Sequence, residues 1–453
     1  MRLFVRDKNF YKKTAAIAIP ISLQSLITIG VNMTDNIMIG SLGENALSGT
    51  ALANQFITIF HIGCMGISMG ASVLTSRFWG MKDKESLKKT ITIMLRFCIL
   101  LSALFMAVTI ISPSFLMRIY TSDIEVIKQG VLYYKWMVPC YILLGLSLTC
   151  TIILRSVGQV KIPLLASIGA FFINVFFNYM FIFGNFGAPA MGTEGAALGT
   201  FLGRIFEFSV ICIYFFFYDK KIGYRLKDIF MNCKSIVRDY ITVSIPVFIS
   251  DILLALGNSA VAMVMGRIGK DFVSANSITV VTQQLTTVFI QGVCHSGSII
   301  TGHTLGEGKK KKAQEQAYTF LMLGIIIGAI SGAIILALSN TVVNFYNITD
   351  ETKAMAIELM RSIALIVVFQ SMNSILTKGV LRGGGDTKFL MLADILFLWI
   401  LSIPLGYLAG LVWNWSAYWI YFCLKSDQIV KAIWCIFRLR SGKWIKAINK
   451  QEL

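Results

Sequence analysis

The sequence predicts an all-α polytopic membrane protein, with twelve transmembrane helices arranged as two six-helix lobes around a central cleft. Three observations carry that expectation: recurrent apolar windows, a lopsided distribution of basic residues, and an internal duplication. Hydrophobic residues fill 56% of the 453 positions and charged residues only 14%, whereas a soluble chain carries about a quarter charged. Windows of roughly 20 apolar residues, enough to cross hydrocarbon, recur from end to end. The net charge of +18 could serve nucleic acid, but the bases sit in the short segments between apolar runs. That is the pattern of membrane orientation.

The N-terminal "MRLFVRDKNFYKKTAAIAIP" is basic and then apolar, as a signal peptide is. No small-residue cleavage site follows and the apolar run is too long for such a peptide, so it reads as a retained first span. The expected spans are 14–38, 48–72, 90–112, 130–153, 163–184, 192–217, 240–265, 275–300, 316–338, 357–380, 389–411 and 413–437. The twelfth contains "CLKSDQIVKAIW", whose Lys425, Asp427 and Lys431 read as an amphipathic continuation at the cytoplasmic surface. Of the 41 Lys and Arg residues, 29 precede the first span or follow an even-numbered one, from Arg2 to Lys450. Only 5 lie in the alternate segments: Arg118, Lys128, Arg267, Lys270 and Lys353. Both termini are therefore expected in the cytoplasm of a multi-pass plasma-membrane protein. The corresponding divisions are an N-terminal lobe 1–217, a cytoplasmic connector 218–239, a C-terminal lobe 240–437 and a basic tail 438–453. Nine cysteines show no close Cys/His pattern, so neither disulfides nor structural zinc are expected.

The chain repeats itself. A shift of 226 residues carries Ile19-Pro20 onto Ile245-Pro246, Asn32 onto Asn258, Gly43 onto Gly269 and Gly80 onto Gly306. A shift of 227 carries "LRSVGQVK" (154–161) onto "LRGGGDTK" (381–388). Six spans per repeat is an even number, so both halves share one orientation and flank a cavity about an axis along the membrane normal. That is the plan of an alternating-access transporter.

The motifs "DNIMIGSLG" (35–43), "LRSVGQVKIP" (154–163), "GTEGAALGT" (192–200) and "VLRGGGDTK" (380–388) resemble the multidrug and toxic compound extrusion (MATE) family over essentially the whole chain. The likeness is greatest to its DinF-like branch, because the acids of the other prokaryotic branch are missing from the second half. The resemblance implies a secondary antiporter that exports organic, chiefly lipophilic cationic, drugs or toxic metabolites in exchange for Na⁺ or H⁺. It also implies that the first-span acid is Asp35, the fifth-span polar pair Asn174 and Asn178, the sixth-span threonine Thr200 and the bending proline Pro20. Asn178 stands where an acid is usual, which leaves one carboxylate in place of two.

The residues themselves agree with this assignment. Asp35 lies 22 residues beyond Lys13, about 33 Å of helix, in the outer half of the membrane. A carboxylate there must be neutral, paired or wet. Its counterpart in the repeat is Val261, so the chemistry has diverged between the halves. Asn174 and Asn178 lie one turn apart on one face, either as a polar pair that holds helices together or, with Asp35 and Thr200, as hard oxygens suited to Na⁺. Arg204 and Glu207 are expected to pair across one turn. Asp251, Gln283, Gln370, Asn373 and Asp394 are polar residues inside C-terminal spans and candidates for substrate contact, among Met and Phe side chains that adapt to unlike hydrophobic ligands. A lipid-linked precursor flippase of related fold is the rival reading and would favour a strongly cationic cleft. The chain holds no nucleophile–base pair, metal motif or P-loop, so it is expected to be neither an enzyme nor driven by ATP. Its expected partners are a small organic substrate, the coupling cation and membrane lipids, with no nucleic acid, no cofactor and a monomeric state.

Overall fold

The structure, a computed structural model, describes residues 4–346 and 348–447; the Arg2, Lys450 and 448–453 portions of the expected basic segments lie outside the described residues. Every regular element among them is helical. In hydrocarbon a helix satisfies its own backbone N–H and C=O groups, so apolar windows of this length fold as helices.

Spans one to three are α1 (Lys8–Gly40), α2 (Glu44–Met81) and α3 (Lys84–Ile111), with the short α4 (Pro113–Arg118) after them. The fourth span departs from the expected single helix. It is α5 (Ile124–Met137) and α6 (Cys140–Ser156), bent by 57° at a break that contains Pro139, which has no N–H to donate. Next come α7 (Lys161–Phe183) and α8 (Thr193–Ile213), the latter widening into a π turn over Tyr214–Tyr218. The second half holds α9 (Lys234–Ile268), α10 (Lys270–Gly306), α11 (Lys310–Asn344) and α12 (Asp350–Ser374), which continues as a π turn to Leu381. The eleventh span comprises α13 (Thr387–Ile395), α14 (Ile403–Tyr407) and flanking π turns, ending at Val412. The twelfth is split into α15 (Ala417–Leu424) and α16 (Ser426–Arg440).

Among the described residues, nine helices are long and apolar enough to cross a membrane, and the bent pair makes a tenth. The remaining two spans fail for different reasons. The α10 helix has ample length but carries Gln283, Gln284, Gln291, His295 and a run of Ser and Thr. The twelfth is broken at Lys425.

The expectation for α16 needs correction. Two of the charges do not lie at a surface: Asp427 and Lys431 are each 2% exposed. Lys431 Nζ lies 3.1 Å from Asp394 and 3.2 Å from Asp427. The stripe Asp427, Lys431, Cys435 and Leu439 is the buried face of the helix, and its outward face is apolar, with Ile433, Trp434 and Phe437 exposed. An outward apolar face reverses the polarity that a water-facing helix would have.

The chain forms two compact units. One comprises 1–22, 76–82 and 241–453; the other comprises 23–75 and 83–240. The first division falls inside α1, two residues beyond Pro20, a proline within an unbroken helix. Within the first unit, the ends of α2 and α10 meet at glycines matched by the repeat. A Cβ on Gly80 would lie 2.3 Å from the His303 carbonyl, and one on Gly306 would lie 2.2 Å from the Arg77 carbonyl. The duplicated turns share a backbone feature too. Gly158 and Gly385 have φ of +79° and +84°, the left-handed region where glycine carries no Cβ penalty.

The segment after α16 packs on the second of these turns. Trp444 is fully buried, its indole donates to Gln314 Oε1 at 2.6 Å, and its ring occupies the space beside Gly384. Arg438 holds Asp386 through two hydrogen bonds of 2.6 and 3.1 Å. In the second unit the connector is fixed near its start and at its middle. The Asp219 carboxylate accepts from Gln159 Nε2 and from the N–H groups of Lys221 and Ile222, and Asp228 pairs with Lys88 at 2.8 Å.

Candidate functional site

Asp35 projects from the last turns of α1 toward the seam between α7 and α8. That seam is tight because α8 presents glycine to α7. A Cβ on Gly199 would lie 2.1 Å from Asn178 Oδ1, and one on Gly203 would lie 3.3 Å from Asn174 Cβ. Small residues of this kind let membrane helices approach closely, and here they give the two asparagines their room.

All four residues singled out in the N-terminal half come together. Asn178 Nδ2 donates to Asp35 Oδ1 at 2.6 Å and to Asn174 Oδ1 at 3.4 Å, and Asn174 Nδ2 donates to Thr200 Oγ1 at 3.3 Å. These contacts fix the Asn178 amide, because the opposite orientation would set its oxygen against a carboxylate. Asn178 Oδ1 is consequently left buried with no hydrogen-bond partner among the described residues. Asp35 has no ion-pair partner among them either. A carboxylate without a cation and a carbonyl without a donor are both acceptors. Together with the Asn174 carbonyl and Thr200 hydroxyl, they form a set of oxygens that suits a proton or a small hard cation.

A polar seam continues from this cluster along the same helices. A cavity of about 50 Å³ is lined by Thr28, Asn32, Ser167, Asn174, Thr200, Arg204 and Glu207, among others. The expected Arg204–Glu207 pair is present at 2.6 Å. Ser167 Oγ donates to Glu207 Oε1 at 3.3 Å, Gln24 Nε2 donates to Ser167 Oγ at 2.8 Å, and Arg155 donates to Gln24 Oε1. Gln24, Ser167 and Arg155 are absent from the sequence-derived candidates. The signal that could have found two of them is spacing. Gln24 lies three helical turns before Asp35, and Ser167 two turns before Asn174, so each shares its helix face with a candidate.

The C-terminal candidates separate into pairs within their own unit. Gln283 Nε2 donates to Gln370 Oε1 at 2.6 Å, and Asp251 pairs with Arg382 at 3.2 Å. Asp394 takes Lys431 and the Ser250 hydroxyl. Asn373 Nδ2 donates to Gln428 Oε1 at 2.7 Å, and Gln428 in turn donates to Asp427 at 2.6 Å. Both acids there already have a basic partner. The same unit contains a cavity of about 730 Å³, lined mostly by apolar side chains that include Tyr11, Ala18, Leu285, Phe289, Ile327 and Leu338. All nine cysteines are buried free thiols.

Comparison with known proteins agrees with this architecture. The MatE family model matches residues 20–180 and 246–408, one match in each half of the duplication. The chain is 23% identical over 452 residues to the probable multidrug resistance protein NorM of Listeria innocua, covering 98% of this chain and 97% of that one. Its fold is similar to the crystal structure of a proline-to-alanine mutant of MATE, with TM-score 0.87 at 18% identity, covering 97% and 98% of the two chains. It is also similar to the outward-facing conformation of a multidrug resistance MATE family transporter, with TM-score 0.86 at 18% identity over 95% and 96%. With a two-part family match that spans both repeats, the chain belongs to the MatE family, whose members are membrane transporters and not enzymes.

Proposed function

We propose that this protein is an efflux antiporter of the DinF-like branch, which expels lipophilic organic cations in exchange for Na⁺ or H⁺. The observation that carries the reading is the Asp35 cluster: one unpaired carboxylate beside an orphaned amide carbonyl, with a second carbonyl and a hydroxyl at hand. An ionised carboxylate in hydrocarbon is costly, and a bound proton or cation removes that cost. Exchange follows if the unit closes over Asp35 only when its charge is neutralised, by the coupling ion in one direction and by the cationic substrate in the other. Pro20, beside the division of α1 between the two units, is the hinge in this scheme. The apolar cavity of about 730 Å³ supports a lipophilic substrate, since drug-sized ligands occupy roughly 300–1,000 Å³. The names of the curated relatives point to drugs as that substrate.

The remaining parts of the reading rest on chemistry already described. The distribution of bases supports cytoplasmic termini and residence in the cell membrane. The protein acts as a monomer, surrounded by lipid, with no cofactor beyond the coupling ion and no nucleic acid. The flippase alternative fares worse because the intramembrane bases are few, and three of them are already engaged: Lys135 with Glu194, Arg204 with Glu207, and Arg96 with the Ile229 and Met231 carbonyls.

The test is exchange in proteoliposomes under separately imposed Na⁺ and pH gradients, with ethidium as the transported probe. Asp35→Asn preserves size and mimics a permanently neutral site, so it is expected to fold and to lose exchange. Asp35→Glu is expected to retain part of it. Wild-type exchange by the Asn variant would remove Asp35 from the mechanism.

A further inference from the structure

The cavity of about 730 Å³ lies wholly within the first compact unit, where α1, α10 and α11 each line it with one face. On α11 the lining runs from Leu323 to Leu338, about 22 Å of helix. On α1 it runs from Tyr11 to Ser22, about 16 Å. One leaflet of hydrocarbon is about 15 Å deep, so the cavity has the length of a lipid tail. Its first end is shut. Phe10 meets Phe320 edge-on at 5.4 Å between ring centres, and the Val5 N–H donates to Thr319 Oγ1 at 3.0 Å. At the second end α1 touches α10, because a Cβ on Gly292 would lie 2.3 Å from the Ala18 carbonyl. Between the ends the cavity opens along its side, where Ile19, Phe289 and Ile330 are 52%, 54% and 56% exposed.

Bases mark the first end. Lys8 stands two turns before Ala15 and Lys12 one turn before it, so helical periodicity sets both on the face of α1 that lines the cavity. Both are exposed, and neither has an ion-pair partner among the described residues. Residues 6–13 hold four bases, Arg6, Lys8, Lys12 and Lys13, against one acid, Asp7. The Asp7 carboxylate is occupied at the start of α1, where it accepts from the Asn9 N–H at 2.9 Å. An apolar slot one leaflet long with a cationic end matches an anionic amphiphile in both shape and charge. A cationic drug fits the slot but is repelled at that end.

We infer that this cavity binds one anionic phospholipid, with an acyl chain between α1 and α11 and the phosphate on Lys8 and Lys12. Clusters of bases beside membrane helices recognise anionic headgroups in this way. The inference does not depend on Asp35 coupling transport. A lipophilic drug that enters the same cavity must displace the chain.

Two measurements on the full chain in detergent test the inference. In the first, native mass spectrometry follows titration with phosphatidylglycerol or with phosphatidylcholine of identical chains. The wild type is expected to bind one phosphatidylglycerol at least tenfold more tightly, since each base near the surface is worth roughly fivefold. Lys8→Gln with Lys12→Gln should cut that preference at least fivefold. Ala15→Trp, which fills the cavity from α1, should weaken both lipids at least tenfold. These three positions are exposed, so melting temperatures should stay at the wild-type value. Equal binding of the two lipids by the wild type would mean ordinary boundary lipid and overturn the inference. An undiminished preference in the lysine variant, or unchanged binding in Ala15→Trp, would overturn it too.

The second measurement needs only the wild-type chain. A trace of phosphatidylglycerol with a diazirine midway along one acyl chain is photolysed on the protein, and the crosslinked peptides are mapped. Adducts should concentrate on the stretches of α1, α10 and α11 that line the cavity. Unlabelled phosphatidylglycerol should remove them, and phosphatidylcholine at the same concentration should not. Adducts spread evenly over the apolar helices would place the lipid elsewhere and sink the proposal.

Discussion

At the scale of single residues, the two halves use charge in opposite ways. Asp35 has no ion-pair partner among the described residues and accepts only from an amide, whereas Asp394 and Asp427 share Lys431 in a site where all three are at least nine-tenths buried. Removing the shared cation would strand two carboxylates, so Lys431→Met is expected to cost about 3–5 kcal/mol of stability. Thermal unfolding in detergent measures it, and a wild-type melt would show that the acids find other partners. Asn178 offers the complementary experiment. It donates to Asp35 at 2.6 Å, so Asn178→Asp sets two carboxylates in contact, and such a pair holds a shared proton or cation. Exchange should therefore persist at lower Na⁺ or at more alkaline pH than in the wild type, and titrating each ion with the other fixed tells which. An unchanged dependence on both would mean that the new acid turns away from Asp35.

At the scale of elements, glycine and tryptophan set how closely helices and turns can meet. Gly199 and Gly203 admit α7 to α8, and without that approach Asn174 and Asn178 could not reach Thr200 and Asp35. The Gly384 turn is occupied by Trp444, and Arg77 donates to the carbonyls of Gly384 and Lys446. The last described residues are thus stapled to the turn between the tenth and eleventh spans. Trp444→Ala is expected to destabilise the protein by about 3–5 kcal/mol through the lost burial and the cavity left behind. A calorimetric scan beside the wild type tests it, with no change expected only if the segment after α16 is unimportant to the fold.

For the whole molecule, the bases specify an orientation that labelling can check. Single cysteines at Asn45 and Gly187 should react with an impermeant thiol reagent added outside intact cells, and one at Lys310 should not. The native thiols are all buried, so background is low. Labelling at Lys310 from outside would invert the topology.

Much of this protein was legible without coordinates, for a local reason. A membrane helix must satisfy its backbone within its own segment, so apolar windows and the repeated motifs carry their meaning in short stretches of chain, whereas Asp35, Asn174, Asn178 and Thr200 were singled out through the family resemblance. The break of the fourth span at Pro139 was equally local in cause, but its 57° bend required the packed structure. Side-chain partnership is a long-range property, and there the sequence fell short. Nothing near Lys431 announces Asp394, 37 residues away, so a buried ion pair was read as a surface charge. Nothing near Arg155 announces Gln24, 131 residues away, so the seam behind Glu207 went unread. The sequence determined which segments enter the membrane and which oxygens could hold an ion. Only the tertiary structure decided which charges are already paired, because pairing depends on the helices that packing brings side by side.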